Sequence, residues 1–201
     1  MFCSEIDLDL LSNIRDERLR RAFLYWQERC GSRAAPSRRD LDPTDIPSLL
    51  PHLMLVDVAD SGRQLRYRLV GTAVEQNFGI PMTGKSIGEV MRGRYLDFIT
   101  SLYQQVIEHC IPIYSENTFS DPDSRAFLQG WPLRTARVMM PLATRPAQVD
   151  MILIAQVFFR DVASVTRTVA TTQDHFSMAE DATKVVRPDA ASLPSGLFRR
   201  A

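Results

Sequence analysis

The chain has 201 residues, enough for one domain of ordinary size with extensions. Hydrophobic residues make up 45% and charged residues 24%, which is typical of a soluble globular protein. The 24 Lys and Arg residues are balanced by 24 Asp and Glu residues. No net field therefore draws the chain to nucleic acid or to anionic lipid, and neither is expected as a partner.

The cysteines and the N-terminus predict the compartment. Cys3, Cys30 and Cys110 are scattered without C-x-x-C spacing, and an odd count without a secretory signal favours a reducing compartment. No stretch approaches the roughly 18 consecutive apolar residues that a membrane span requires. We therefore expect a cytoplasmic protein without a membrane span.

An amphipathic helix is predicted from about Ile14 to Cys30, because apolar residues recur there at steps of three and four. Phe23 and Trp26 lie on its apolar stripe. The stripe either packs against the main sheet or pairs with a second copy in a homodimer. Residues 31–51, rich in proline and turn formers, predict a connector, so that residues 1–52 form an N-terminal helix and a Pro-rich segment.

Two runs, Leu53–Val58 and Leu65–Val70, predict an antiparallel hairpin. In the second run, Leu65, Tyr67 and Leu69 alternate with arginines, which indicates one buried and one solvated face.

A tight corner is predicted directly after this hairpin. Gly71 ends the second strand, and Thr72 is placed to cap a short helix whose last residues are Asn77 and Phe78. Gly79 and Gly84 then break the chain twice. Short elements of this kind can enclose a pocket between a sheet and its helices.

The second half of the chain predicts one longer helix followed by three strands. The helix runs from Gly93 to Cys110, and the strands are Ile113–Phe119, Arg134–Leu142 and Asp150–Arg160. The last strand is apolar on both faces, so we expect it at the centre of the sheet with the Trp26 helix covering its outer face.

Residues 161–201 show no sustained periodicity and predict a disordered tail. Ser177 with Glu180 makes a capping box, which allows a weak helix over about 178–186. The remaining segment, residues 53–160, is the expected core domain.

This order of elements, together with several quotable segments, resembles the PAS-like family of alphaproteobacteria over about residues 20–160. The segments are Trp26, PSRRDLDPTDIPSLLPHLMLVDV from Pro36 to Val58, RYRLVGT from Arg66 to Thr72, Gly79, and MTGKSI from Met82 to Ile87. The resemblance implies an α+β fold with a five-stranded antiparallel sheet and helices over one face.

The resemblance also implies a role. PAS domains are sensory or docking modules that hold a small molecule, or nothing, between sheet and helices, and they often dimerise through an N-terminal helix. We therefore expect a free-standing module that works through a protein partner, a homodimer contact at Phe23 and Trp26, or both. The family's motif defines no catalytic residues, so none is carried over.

Cofactor-loaded PAS types need signatures that this chain lacks, so flavin-adduct and haem chemistry are disfavoured and any cofactor stays unknown. The flavin type needs a cysteine directly after an asparagine, whereas Asn77 is followed by Phe78. The haem type needs a histidine where Ser86–Met91 has none, and His109 lies at the far end of the next helix. No metal site is expected.

The predicted pocket is lined by residues from the strands and from the helices that cover the sheet. In the alternative interpretation there is no pocket, and the same side chains fill the core. Its residues are Tyr67, Leu69, Phe78, Met91, Met140 and Ile154.

Three functions remain open at this point. The favoured one is a non-enzymatic sensory or adaptor module that signals by conformational change. The second is a small curved-sheet enzyme, isomerase-like or cyclase-like, in which Glu75 or His52 points into a closed cavity. The third is an interaction protein without a ligand.

Overall fold

A computed structural model of the chain describes residues 8–119, 133–146, 148–160 and 184–187. Its centre is an antiparallel sheet of six strands in the order β2-β1-β5-β4-β3-β6. The strands are β1 (Leu53–Ala59), β2 (Gln64–Val70), β3 (Ile113–Phe119), β4 (Leu133–Arg145), β5 (Gln148–Arg160) and β6 (Lys184–Val186).

Five helices accompany the sheet in the described part of the chain, together with short 3₁₀ turns. The helices are α1 (Leu8–Asn13), α2 (Glu17–Cys30), α3 (Thr72–Phe78), α4 (Ile87–Val90) and α5 (Gly93–His109). None of these helices combines the length and the apolar character needed to cross a bilayer.

The strand register decides which side chains share a face, because residues directly opposite one another point to the same side of a sheet. Ile154 of β5 pairs with Met54 of β1 and with Met139 of β4, and Met139 pairs with Ile113 of β3. Helices α3 and α5 cover this face, whereas α1 and α2 cover the other. The predicted α+β fold is therefore confirmed, with one strand more than expected.

Helix α2 covers the outer face of the central strands, as its apolar stripe predicts. Asp16 caps its N-terminus by accepting a hydrogen bond from the Arg18 amide. Phe23 and Trp26 are buried within the chain, and Trp26 Nε1 donates to the carbonyl of Pro141 on β4 at 2.8 Å. The packing interpretation is thus confirmed, and it leaves these two side chains no exposed surface with which to contact a second copy.

The corner after β2 is closed by one glycine. The Gly71 amide donates to the carbonyl of Leu53 at 2.7 Å. A Cβ at position 71 would lie 2.4 Å from the carbonyl oxygens of both Leu50 and Pro51, so no side chain fits there. Helix α3 ends at Phe78, as predicted from the sequence. Its N-cap is Gly71 rather than the predicted Thr72, which is the first helical residue, and among the described residues no side chain caps this end.

Two features differ from the expectation. A register shift between Leu55 and Val56 of β1 places Tyr67 opposite Val56 and Leu69 opposite Leu55. In the tail, Lys184–Val186 forms β6 against β3, so the weak helix does not extend over these residues. The other residues of 161–201 lie outside the described part, apart from Arg187, and the proposed domain division stays a prediction.

Candidate ligand-binding site

The three central strands bring polar side chains together beneath α5. Ser115 of β3 pairs with Arg137 of β4, which pairs in turn with Gln156 of β5. These residues share the face that α5 covers, and their exposed fractions are 0%, 1% and 2%. Asn117 and Thr135 form the next pair on this face, two register positions further along, and are also fully buried. We call these five residues the polar ladder.

Arg137 is the charged member of the polar ladder. Its Nη2 donates to Asn117 Oδ1 at 2.7 Å and to Thr135 Oγ1 at 2.9 Å. Its guanidinium carbon lies 5.6 Å from the centre of the Tyr95 ring, within the range of a cation–π contact. Among the described residues no carboxylate forms an ion pair with Arg137, although buried charges are normally paired.

Four buried atoms of the polar ladder have no hydrogen-bond partner among the described residues. They are Arg137 Nε, Gln156 Nε2, Asn117 Nδ2 and Ser115 Oγ. The Asn117 amide is oriented by its oxygen, which accepts from Arg137, so its nitrogen remains as an unused donor. Since buried polar groups in proteins are rarely left unpaired, this surplus of donors on one face needs an explanation.

Two buried tyrosines form part of the same layer. Burial raises the pKa of Tyr67 well above its usual range and also raises the pKa of Tyr103, while the positive charge of Arg137 acts in the opposite direction on both. Both phenols are therefore neutral hydroxyl groups at physiological pH. With Tyr95, they give the polar ladder an aromatic wall.

An open groove lies at the end of the β1–β2 hairpin. Its volume is about 740 Å³, and it is lined by apolar side chains such as Leu65 and Leu96 beside Arg63 and Arg66. Leu65 precedes Tyr67 by two residues on the same face of β2, and Leu96 follows Tyr95 on α5. The described walls of the groove come from the β1–β2 hairpin, α4 and α5, and they include no residue of the polar ladder.

Three of the six predicted lining residues lie on this face. Tyr67 and Ile154 face α5, and Phe78 of α3 contacts the Phe158 ring edge to face at 5.5 Å. Met91 is buried directly after α4.

The other two predicted residues lie elsewhere. Leu69 is 47% exposed, because the register shift in the hairpin turns it away from Tyr67. Met140 pairs with Leu153 and is buried on the face that α2 covers. The structure therefore does not bring these two side chains to the α5 face.

The sequence analysis missed the residues of the polar ladder. The available signal was Gln156, one polar residue inside the apolar run MILIAQVFF. A second signal was the alternation of Thr135, Arg137 and Met139 along β4. Polar residues in a strand usually face solvent, so only the observed register shows that these side chains meet inside.

The acid and the histidine considered for an enzyme lie outside the polar ladder. Glu75 Oε1 accepts hydrogen bonds from the amides of Met82 and Thr83 at 2.8 and 3.2 Å. These bonds hold the loop that follows α3 against this helix. His52 Nε2 lies 3.5 Å from Arg18 Nη1, and burial together with the Arg18 charge lowers the pKa of this imidazole. Within the described ranges, no cluster of His, Cys, Asp and Glu side chains is arranged to hold a metal ion.

Comparison with known families supports this picture of the fold. Residues 14–155 match the PAS domain family, which is more than half of the chain. The chain belongs to the PAS domain family. Neither the curated proteins nor the solved structures contain a significant match to this PAS domain. Its polar ladder lies between the sheet and α5, where the resemblance implies either a small molecule or no ligand at all.

Proposed function

We propose that this PAS domain is a non-enzymatic sensory or adaptor module. It binds a small molecule between the sheet and α5 and passes the signal to a protein partner by a change of conformation. The observation that carries the proposal is the polar ladder, whose buried donors have no partner among the described residues. A bound molecule would supply the missing acceptors.

The geometry supports a route from this site to the opposite face. Arg137 faces α5, whereas the carbonyl of Pro141, four residues further along β4, accepts the hydrogen bond from Trp26 of α2. A ligand that favours one position of β4 would therefore also favour one packing of α2. Such a shift requires only that the ligand binds the two packings with different affinity.

Ligand binding is tested by two measurements on the full chain, and a pull-down with the full chain as bait tests for a protein partner. Mass spectrometry would identify compounds released from protein purified under mild conditions, and thermal unfolding would be followed in the presence of fractionated metabolite pools. We expect at least one fraction to raise the unfolding temperature, because a ligand that binds only the folded state stabilises it.

A matched control uses Arg68→Met, which removes a largely exposed arginine from β2. This variant should respond to the same fraction as the unchanged chain. If no fraction shifts the unfolding temperature, no compound is released and no partner is captured, the sensory role is wrong.

A further inference from the structure

We infer that the ligand of this site is a small organic monocarboxylate whose carboxylate group is bound by Arg137. The inference rests on the proposed function and names the class of its ligand. Three observations carry it, and they concern the charge of the site, its hydrogen-bonding groups and its walls.

The charge comes first. Arg137 is 1% exposed, and a guanidinium group stays protonated in proteins. Its guanidinium group contacts the neutral side chains of Asn117 and Thr135 and the ring of Tyr95. A buried charge without a counter-ion is strongly disfavoured, so a bound anion supplies what the described part of the chain lacks.

The hydrogen-bonding groups point in the same direction. Arg137 Nε, Gln156 Nε2 and Asn117 Nδ2 are N–H donors without an acceptor, and the Ser115 hydroxyl can also donate. Carboxylate oxygens only accept hydrogen bonds, and two oxygens offer about four acceptor positions. The donors come from three neighbouring strands in one register, so one small group can reach several of them.

The single positive charge of the polar ladder and the side chains around it narrow the class of ligand. The polar ladder contains one cation, and the buried hydroxyls of Tyr67 and Tyr103 are neutral. One carboxylate balances that cation, whereas a phosphate dianion would leave one negative charge buried. The neighbouring side chains Tyr95, Met139 and Ile154 offer aromatic and apolar contacts to the rest of an organic acid.

The test is a titration of the full chain with matched pairs of acids and their primary amides, such as benzoate with benzamide and butyrate with butyramide. The members of a pair have nearly the same shape and differ in charge. We expect an acid to bind and its amide to bind at least about tenfold more weakly, since hydrogen bonds to charged groups are the stronger ones. Dissociation constants from calorimetry give the comparison.

Variants assign the effect to Arg137. In Arg137→Met the affinity for the acid should fall by about ten- to a hundredfold, and Gln156→Leu should weaken it to a smaller extent. Arg68→Met is the matched control and should bind as the unchanged chain does. Circular dichroism and thermal unfolding show whether each variant is folded. If Arg137→Met does not fold, the affinity of Gln156→Leu still decides the test.

Two results would overturn the inference. One is equal affinity for acid and amide, or no binding of any acid in the panel. The other is an unchanged affinity for the acid in both folded variants. A chain that rejects the acids but is stabilised by a neutral compound, or that captures a partner, overturns this inference alone. A chain that gives none of these responses overturns the proposed function as well.

Discussion

At the scale of single residues, the corner between β2 and α3 depends on Gly71. The backbone of the Pro-rich connector passes so close that a Cβ would lie 2.4 Å from two carbonyl oxygens. We expect Gly71→Ala to lower the free energy of unfolding by about 1–3 kcal/mol, because the backbone must shift to admit the methyl group. Urea denaturation measures the change.

The matched control is Gly88→Ala in α4, where an added Cβ meets nothing within 4 Å. Alanine is the better helix former, so this variant should be as stable as the unchanged chain or slightly more stable. Equal stability of Gly71→Ala and Gly88→Ala would contradict the role assigned to the close approach at Gly71.

Glu75 predicts a dependence of stability on pH. The hydrogen bond from the Met82 amide, with those from Thr83, lowers the pKa of this carboxyl group below its ordinary value of 4.5. A lowered pKa in the folded state means that the contribution to stability is complete above pH 4.5 and is lost as the pH falls through the folded-state pKa.

The measurement compares unfolding temperatures of the unchanged chain and of Glu75→Gln from pH 7 downwards. We expect the difference between them to shrink below about pH 4.5, because protonated Glu75 and glutamine carry the same charge. Glu28→Gln, exposed on α2, is the control for a general effect of one charge. Parallel curves for Glu75→Gln would show that the loop does not depend on the ionised carboxylate.

At the scale of elements, α2 is fixed to the sheet by a polar contact as well as by apolar packing. Trp26→Phe keeps an aromatic ring but leaves the Pro141 carbonyl without the indole donor. We expect a loss of about 1–3 kcal/mol in the free energy of unfolding, the usual range for a buried group left without its partner. Arg21→Ala, exposed on the same helix, should change it by less than about 0.5 kcal/mol. A loss in Trp26→Phe no larger than in Arg21→Ala would contradict this role.

Most elements could be predicted because their information is local. Helix α5 and strand β2 each follow a periodicity, and the turn preferences of Gly71 and Gly79 bound α3. The register shift that exposes Leu69 could not be predicted, since it depends on pairing between two strands. Strand β6 has three residues, too few to show a period.

At the scale of the whole molecule, the candidate site escaped prediction for a related reason. Ser115, Arg137 and Gln156 are separated by long stretches of sequence and meet only because β3, β4 and β5 are neighbours in one register. The burial of Tyr67 and Ile154 could be predicted because apolar and aromatic residues in strands usually face the core; their role as lining residues stays a prediction. Buried polar groups are the exception to that rule, and the sequence alone does not reveal which strand residues are exceptions.

Ser115 also belongs to a second interaction, at the border of the sheet. Its side chain points into the polar ladder, while its backbone stands opposite Val185 of β6. An anion that accepts a hydrogen bond from the Ser115 hydroxyl would therefore reduce the motion of the β3 backbone that pairs with β6. Binding of an acid can therefore be measured at β6, whose amides should exchange hydrogen for deuterium more slowly when the acid is bound. In Arg137→Met the same acid should leave the exchange rate of the β6 amides unchanged. If the acid does not slow their exchange in the unchanged chain, β6 is not coupled to the site.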